Sequence, residues 1–242
     1  MRQETDEILS NRNIARSVYE MRLKADTDDI HPGQFVDVAL PGRYLRRPIS
    51  VCQAKDGVLT LIYKAVGHGT EQMSHMQAGE KLDVLLPAGN GYDLTRAGGY
   101  PLLVGGGVGV PPLYMLAEKL SKNSHVTVIL GFNAKDEIFY EQEFRKLGCD
   151  VIVCTADGSC GIKGFVTDGL KMVKQYSYVY ACGPAVMLKN IDSMLESDGE
   201  YSMEERMGCG FGVCLGCTIV TREGAKRVCA DGPVFDRKVL VW

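Results

Sequence analysis

The stretch Leu102-Leu-Val-Gly-Gly-Gly-Val-Gly-Val-Pro-Pro112 reads as an apolar strand that breaks into a glycine loop. Leu113, Leu116, Ala117 and Leu120 follow at helical spacing. A strand, a glycine loop and a helix in that order form the setting in which a dinucleotide is held, because glycines let backbone N–H groups approach a pyrophosphate. The loop itself reads G-x-G-x-x-V, without the third glycine of the Rossmann fingerprint, and no acidic residue stands at the usual distance. Downstream, strands are predicted over residues 126–130, 151–154 and 179–181, alternating with helices over 138–147, 165–173 and 186–195. This alternation predicts a parallel sheet with helices on both faces.

Upstream the rhythm is different. From about residue 15 to 87, short alternating runs at 35–40, 49–52, 58–63 and 82–86 read as strands. Pro32-Gly33, Pro41-Gly42, Asp56-Gly57 and Gly79 separate them, which suggests a small antiparallel barrel. Within it, Leu45-Arg-Arg-Pro-Ile-Ser50 sets a cation, a rigid proline and a hydroxyl at a strand start. Arg47 is suited to a phosphate, through a charge-assisted hydrogen bond of roughly 1.5–3 kcal/mol, and Ser50 to a ring nitrogen. Further on, Lys64-Ala-Val-Gly-His-Gly-Thr70 leads into a short helix predicted over 71–76, whose first N–H groups attract pyrophosphate.

Downstream of both lies a glycine- and cysteine-rich tail, from about residue 203. Met207-Gly-Cys-Gly-Phe-Gly-Val-Cys-Leu-Gly-Cys217, followed by Cys229, gives the spacing C-x4-C-x2-C-x11-C. That is the plant-type [2Fe–2S] spacing with a distant fourth ligand. Glycines 208, 210, 212 and 216 permit a tight curl that aims backbone N–H groups at the sulfurs, and Phe211, Val213 and Leu215 are expected to cover them. Zinc is the competing occupant, although zinc modules usually pair ligands in two C-x2–4-C knuckles and Cys229 has no close mate. A segment this short has no room for a core of its own.

Composition bounds the rest. The 242 residues are 45% apolar and 24% charged, which fits a soluble globule. Lys and Arg number 27 against 30 Asp and Glu, a net charge of −3 that excludes the basic footprint of a general nucleic-acid binder. The longest apolar stretch, residues 101–112, is too short for a membrane span and is interrupted by glycine. The opening Met1-Arg-Gln-Glu-Thr-Asp-Glu7 is too polar and acidic for a secretory leader, so a cytoplasmic location is expected. The cysteines number nine, an odd count unsuited to a disulfide framework. Cysteines 52, 149, 154 and 160 lack metal spacing and read as packing, and the four histidines form no triad with a Ser or Cys.

Taken together in this order, the motifs resemble the ferredoxin reductase-like flavoproteins. Within them, the chain is similar to the electron-transfer subunits of two-subunit, NAD-dependent dihydroorotate dehydrogenases, over nearly its whole length. The resemblance implies three parts: an antiparallel FAD-binding β-barrel (residues 1–97), a Rossmann-like NAD-binding α/β domain (98–200) and a [2Fe–2S] segment (201–242). FAD contacts would fall on Arg47, Pro48, Ile49 and Ser50, on Ile62, Tyr63 and Lys64, and on Gly69 and Thr70. The NAD(H) contacts would be Gly105, Gly106, Gly107 and Gly109, with Cys182, Gly183 and Pro184 before the last helix. Cys182 is suited equally to a place near the nicotinamide and to packing. The cluster ligands would be Cys209, Cys214, Cys217 and Cys229.

The family further implies an FMN-containing catalytic partner, two copies of each subunit, and electron flow from FMN through the cluster and FAD to NAD+, in de novo pyrimidine (UMP) biosynthesis. No dihydroorotate site is visible in this chain. Asp136 or Glu137 is the candidate acceptor for a ribose 2′-hydroxyl, which favours NAD over NADP. Two departures stand out: Ile49 occupies a position where many relatives stack a Tyr on the flavin, and the terminal Trp242 follows the cluster segment, which suits packing better than flavin shielding. The alternatives are a subunit of another NAD(P)H:ferredoxin-type oxidoreductase and a non-enzymatic, zinc-stabilised binding module.

Overall fold

The computed structural model describes residues 1–242. Six antiparallel strands close a barrel in the order β1 (Arg2–Ala15), β2 (Val18–Lys24), β5 (Val58–Lys64), β4 (Arg47–Lys55), β3 (Phe35–Ala39) and β6 (Lys81–Ala88). Strand β1 carries few apolar residues and gave no strand signal in the sequence. It forms because a barrel must be closed: its two ends pair with β6 (Arg2↔Leu86) and with β2 (Glu7↔Lys24), removing both free edges. Helix α1 (His68–Ser74) packs at the barrel end and starts three residues earlier than its sequence signal.

The second half alternates β7 (Pro101–Gly106), α2 (Tyr114–Leu120), β8 (Thr127–Phe132), α3 (Glu141–Lys146), β9 (Asp150–Thr155), β10 (Ile162–Lys163), α4 (Val166–Leu170), β11 (Tyr178–Cys182), α5 (Ala185–Asp192) and β12 (Gly199–Ser202). These strands are mutually parallel, in the order β10-β9-β8-β7-β11-β12. The order reverses between β7 and β11, and a doubly wound sheet opens a ligand crevice at the carboxyl ends of the strands at such a switch point. Cys182 pairs in register with Gly105 there, so the two nucleotide motifs become neighbours.

Helix α3 is shorter than the helical pattern from residue 138 suggests. Tyr140 adopts φ +62°, and its hydroxyl donates to Glu20 of β2 at 2.9 Å. The barrel contact thus draws the preceding residues out of helix.

The tail folds as a hairpin, β13 (Thr218–Thr221) and β14 (Gly224–Arg227), then α6 (Val228–Asp231) and β15 (Val234–Asp236). Strand β15 pairs antiparallel with β12, so the sheet is mixed rather than wholly parallel. The tail has no separate core. Cys217, Val228, Cys229, Phe235 and Leu240 join the cluster built on Leu102, Val104, Leu188 and Tyr201. Trp242 caps this face, its Nε1 donating to Asp192 at 3.1 Å and its ring 6.1 Å from that of Tyr201, away from both clefts described below.

Candidate functional site

Three features lie side by side at one end of the molecule. The first is a cleft of about 300 Å³ on the barrel, walled by Pro48, Ile49, Ser50, Ile62, Tyr63, Lys64 and Thr70. These are residues of three motifs separated in sequence, and strand pairing gathers them: β3 places Phe35 opposite Ser50, and β4 and β5 run side by side. Arg47 and Gly69 do not line the cleft but touch each other. A Cβ on Gly69 would overlap Arg47 Nε and lie 2.9 Å from its Cζ, so glycine is required for the guanidinium to lie across the start of α1. Thr70 holds the turn: its hydroxyl accepts from the N–H groups of Val66 (3.1 Å) and Gly67 (3.3 Å).

The second feature is a larger cleft of about 610 Å³ at the switch point. Gly106, Gly107 and Gly109 line it from the β7 loop and Pro184 from the β11 loop. Gly105 lies beneath, where a Cβ would come within 2.9 Å of Val110. Cys182 is buried and does not line the cleft, and burial raises its thiol pKa. Its carbonyl packs on Gly109, which makes it a support for the loop. Gly183 adopts φ +157° and likewise leaves no room for a side chain, Met187 Cε lying 2.6 Å from a Cβ there.

The two clefts share a wall made of Lys64, Val108 and Glu204. Glu204, in the connection from β12 to the tail, carries no sequence signal. Only its position in the fold reveals it. Glu137 also lines the larger cleft, but not as the free acceptor expected from sequence. It is buried and accepts from Arg16 at 2.6 Å, Lys64 at 3.2 Å, and the Asn133 backbone and side chain at 3.3 and 2.8 Å. Burial works against its charge, yet these donors outweigh it and hold the carboxyl at about 2. Asp136 points outward and pairs with Arg16 at 3.3 Å.

The third feature is the cysteine loop, reached from the barrel cleft through Met207 on its wall. The four thiols form two pairs. Cys217 and Cys229 are buried with their sulfurs 3.2 Å apart, and the Cys229 N–H points at Cys217 Sγ from 3.4 Å. Cys209 receives the N–H groups of Val213 (3.3 Å) and Cys214 (3.5 Å), while Gly216 N–H points at Cys214 Sγ from 3.4 Å. Burial opposes ionisation of Cys209, but donors from Cys214, Phe211 and Val213 bring its thiol down to about 6. A sulfur poised as thiolate is the form that ligates iron. Gly210 and Gly212 reach φ +76° and +89°, which aims the N–H groups inward. Arg227 ties the loop to α6 by donating to the Gly212 carbonyl and pairing with Asp231, both at 2.9 Å.

Phe211, Val213 and Leu215 are exposed, at 52, 73 and 62%, rather than folded over the sulfurs. The same turn that points N–H groups inward sends the intervening side chains outward. The result is an apolar rim around the loop.

Comparison with known proteins gives concordant findings. Two family models match: an iron-sulfur cluster binding domain of dihydroorotate dehydrogenase B over residues 204–241, and an oxidoreductase NAD-binding domain over 103–193. The chain is similar to the dihydroorotate dehydrogenase B (NAD(+)) electron transfer subunit of Fusobacterium nucleatum, 44% identical over 93% of each chain. It is equally similar to that of a Geobacillus strain, 44% identical over 97% of each. Among solved structures, an NADH-dependent reduced ferredoxin-NADP oxidoreductase gives a TM-score of 0.90 at 30% identity, covering 98% of this chain and 90% of that one. Phthalate dioxygenase reductase gives 0.65 at 21% identity, over 79% and 64%, a likeness of fold alone.

Proposed function

The chain belongs to the family of electron-transfer subunits of dihydroorotate dehydrogenase B, and from that premise we propose that it carries electrons between a dihydroorotate-oxidising partner and NAD+. The reading assigns FAD to the smaller cleft, NAD(H) to the larger, and a [2Fe–2S] cluster to Cys209, Cys214, Cys217 and Cys229. The three parts are the barrel of residues 1–97, the α/β unit of 98–200 and the cluster segment of 201–242. The match to an iron–sulfur family sets the zinc module aside.

The observation that carries the proposal is the shared wall: Lys64, Val108 and Glu204 border both clefts, and Met207 continues the smaller one toward the cysteine loop. When bound, FAD supplies the conversion between a two-electron hydride and single electrons. The chain's own residues do the positioning. Arg47, laid across Gly69, offers its guanidinium to phosphate. Ser50 offers a hydroxyl to the ring edge, and Ile49 gives aliphatic contact where an aromatic would stack. Gly106, Gly107 and Gly109 leave the backbone bare for the second nucleotide. Cys209, Cys214, Cys217 and Cys229 would hold the two-iron centre, which would supply single-electron transfer.

The partner is an FMN-containing catalytic subunit, with two copies of each chain in a cytoplasmic complex. The apolar rim of Phe211, Val213 and Leu215 supports a docking face beside the cluster loop. No helix is long and apolar enough to cross a membrane. Anaerobic co-expression with that partner tests the reading: dihydroorotate should drive NAD+ reduction, and Cys214→Ser should abolish it while sparing NADH–dye turnover. Full coupled turnover by that variant would refute the cluster assignment. The 30% identity to a reduced ferredoxin-NADP oxidoreductase supports a second reading, in which the partner is a ferredoxin-type system. Turnover with reduced ferredoxin and none with dihydroorotate would favour it.

A further inference from the structure

We propose that Glu137 is a positioning residue that holds the Lys64 ammonium in the wall common to the two clefts, and is not an acceptor for a nucleotide hydroxyl. This rests on the assignment of the larger cleft to NAD(H). An ionised carboxylate offers about four lone-pair sites. On Glu137 all of them are used: Oε1 takes Arg16 and Lys64, and Oε2 takes the two nitrogens of Asn133. A ribose hydroxyl would have to displace one of these donors.

The donors come from separate parts of the fold. Arg16 sits in the turn between β1 and β2, and Lys64 ends β5, so both belong to the barrel. Asn133 follows β8 in the α/β unit. The Arg16 N–H also donates to the Asp136 carbonyl at 2.9 Å, which fixes the short turn carrying Glu137 against the barrel. Other bridges, such as Tyr140 to Glu20 and Lys55 to Glu118, hold the two units together independently. Glu137 is therefore not needed to keep the domains associated. What it alone does is fix Lys64.

Lys64 warrants such fixing. Its side chain is 31% exposed, on a flexible stem, and it is the only cation lining either cleft. An untethered lysine samples many rotamers, and ordering it on binding costs affinity. Tethered from behind, its remaining donors face the clefts, ready for the anionic groups of a nucleotide. A charge-assisted contact of this kind is worth about tenfold or more in affinity.

The test uses the FAD-loaded chain and reads NAD+ affinity from the flavin difference spectrum, alongside NADH KM and kcat with a dye acceptor. At saturating FAD, Glu137→Gln and Lys64→Met should each weaken NAD+ by about tenfold. The double variant should be no weaker than Lys64→Met alone, because the first residue acts through the second. The 2′-deoxyadenosine analogue of NAD+ supplies the decisive arm. A positioning role predicts the same Glu137→Gln loss with this analogue as with NAD+. A ribose-acceptor role predicts that the loss disappears.

Should Glu137→Gln fold poorly, Glu137→Asp keeps the negative charge but draws the carboxylate back by about one bond length from the two donors that share Oε1, Arg16 and Lys64, and should show the same loss. Additive losses in the double variant, or a loss confined to the 2′-hydroxyl nucleotide, would overturn the proposal. If Lys64→Met leaves NAD+ binding intact while Gly109→Ala impairs it, the positioning role fails and the cleft assignment stands. If neither substitution matters, the cleft assignment fails with it.

Discussion

Gly109→Ala probes the contact on which the nucleotide loop depends. A Cβ there would collide with the Cys182 carbonyl oxygen and lie 2.5 Å from its carbon and 2.7 Å from Gly183 Cα. Ordinary contact begins near 3.4 Å, so clearing the carbonyl oxygen requires the two loops to part by about 1.1 Å. Both sides of the collision are backbone, and no side-chain rotation relieves it. Overpacking of this kind costs about 1–3 kcal/mol, and at this chain length that lowers Tm by roughly 2–10 °C. The displacement falls on the β7 and β11 loops at the switch point, where a shift near 1 Å costs about 100-fold in rate. NADH–dye turnover should fall by about 10- to 100-fold, while the flavin spectrum and FAD content stay normal, because the barrel cleft is untouched. Gly99→Ala, with open space around its Cβ, serves as the matched control and should be neutral. Wild-type NADH kinetics and an unchanged Tm in Gly109→Ala would refute the packing argument, and with it the placement of the nucleotide at this loop.

Gly69→Ala should fold normally, since the group in the way is the flexible Arg47 side chain, but FAD should bind about tenfold more weakly as the guanidinium is displaced; equilibrium titration of apoprotein with FAD reads this directly. Phe235→Ala removes a buried ring that fastens β15 to the α/β core and should cost about 3–5 kcal/mol, seen as a lower denaturation midpoint and faster loss of visible cluster absorbance on warming. Glu200 of β12 is buried, and although it accepts the Asp93 N–H at 2.9 Å, burial raises its carboxyl to about 7. Because the folded state holds that proton more tightly than the unfolded chain, its contribution to stability is full below about pH 4.5 and is lost as pH rises through 7. Glu200→Gln should therefore gain roughly 1–2 kcal/mol at pH 8 and little at pH 5, measured by urea denaturation at both values.

The cysteine spacing and the glycine loop were legible without coordinates, because both are local. A cluster needs thiolates on a tight curl, and only closely spaced cysteines among glycines supply one. A dinucleotide loop needs bare backbone between a strand and a helix, and Leu102 to Leu113 contains all three in one run. Alternating apolar runs likewise announced a barrel, though not its first two strands: Arg2–Ala15 is held by hydrogen bonding to two partners rather than by an apolar face, and in Val18–Lys24 charged residues at 20, 22 and 24 break up the apolar positions.

What lay beyond the sequence was every relation between distant segments. The antiparallel seating of β15 on β12, which lends the tail a core, depends on strand pairing across more than thirty residues. The outward turn of Phe211, Val213 and Leu215 follows from the direction of the loop's N–H groups, which no pattern of residue types encodes. The saturation of Glu137 by Arg16 and Lys64 joins positions 16, 64 and 137, and long-range charge pairing of this sort leaves no periodic trace. Short-range chemistry was written in the chain, and the meeting of the two clefts at Lys64, Val108 and Glu204 was settled only when the barrel packed against the sheet.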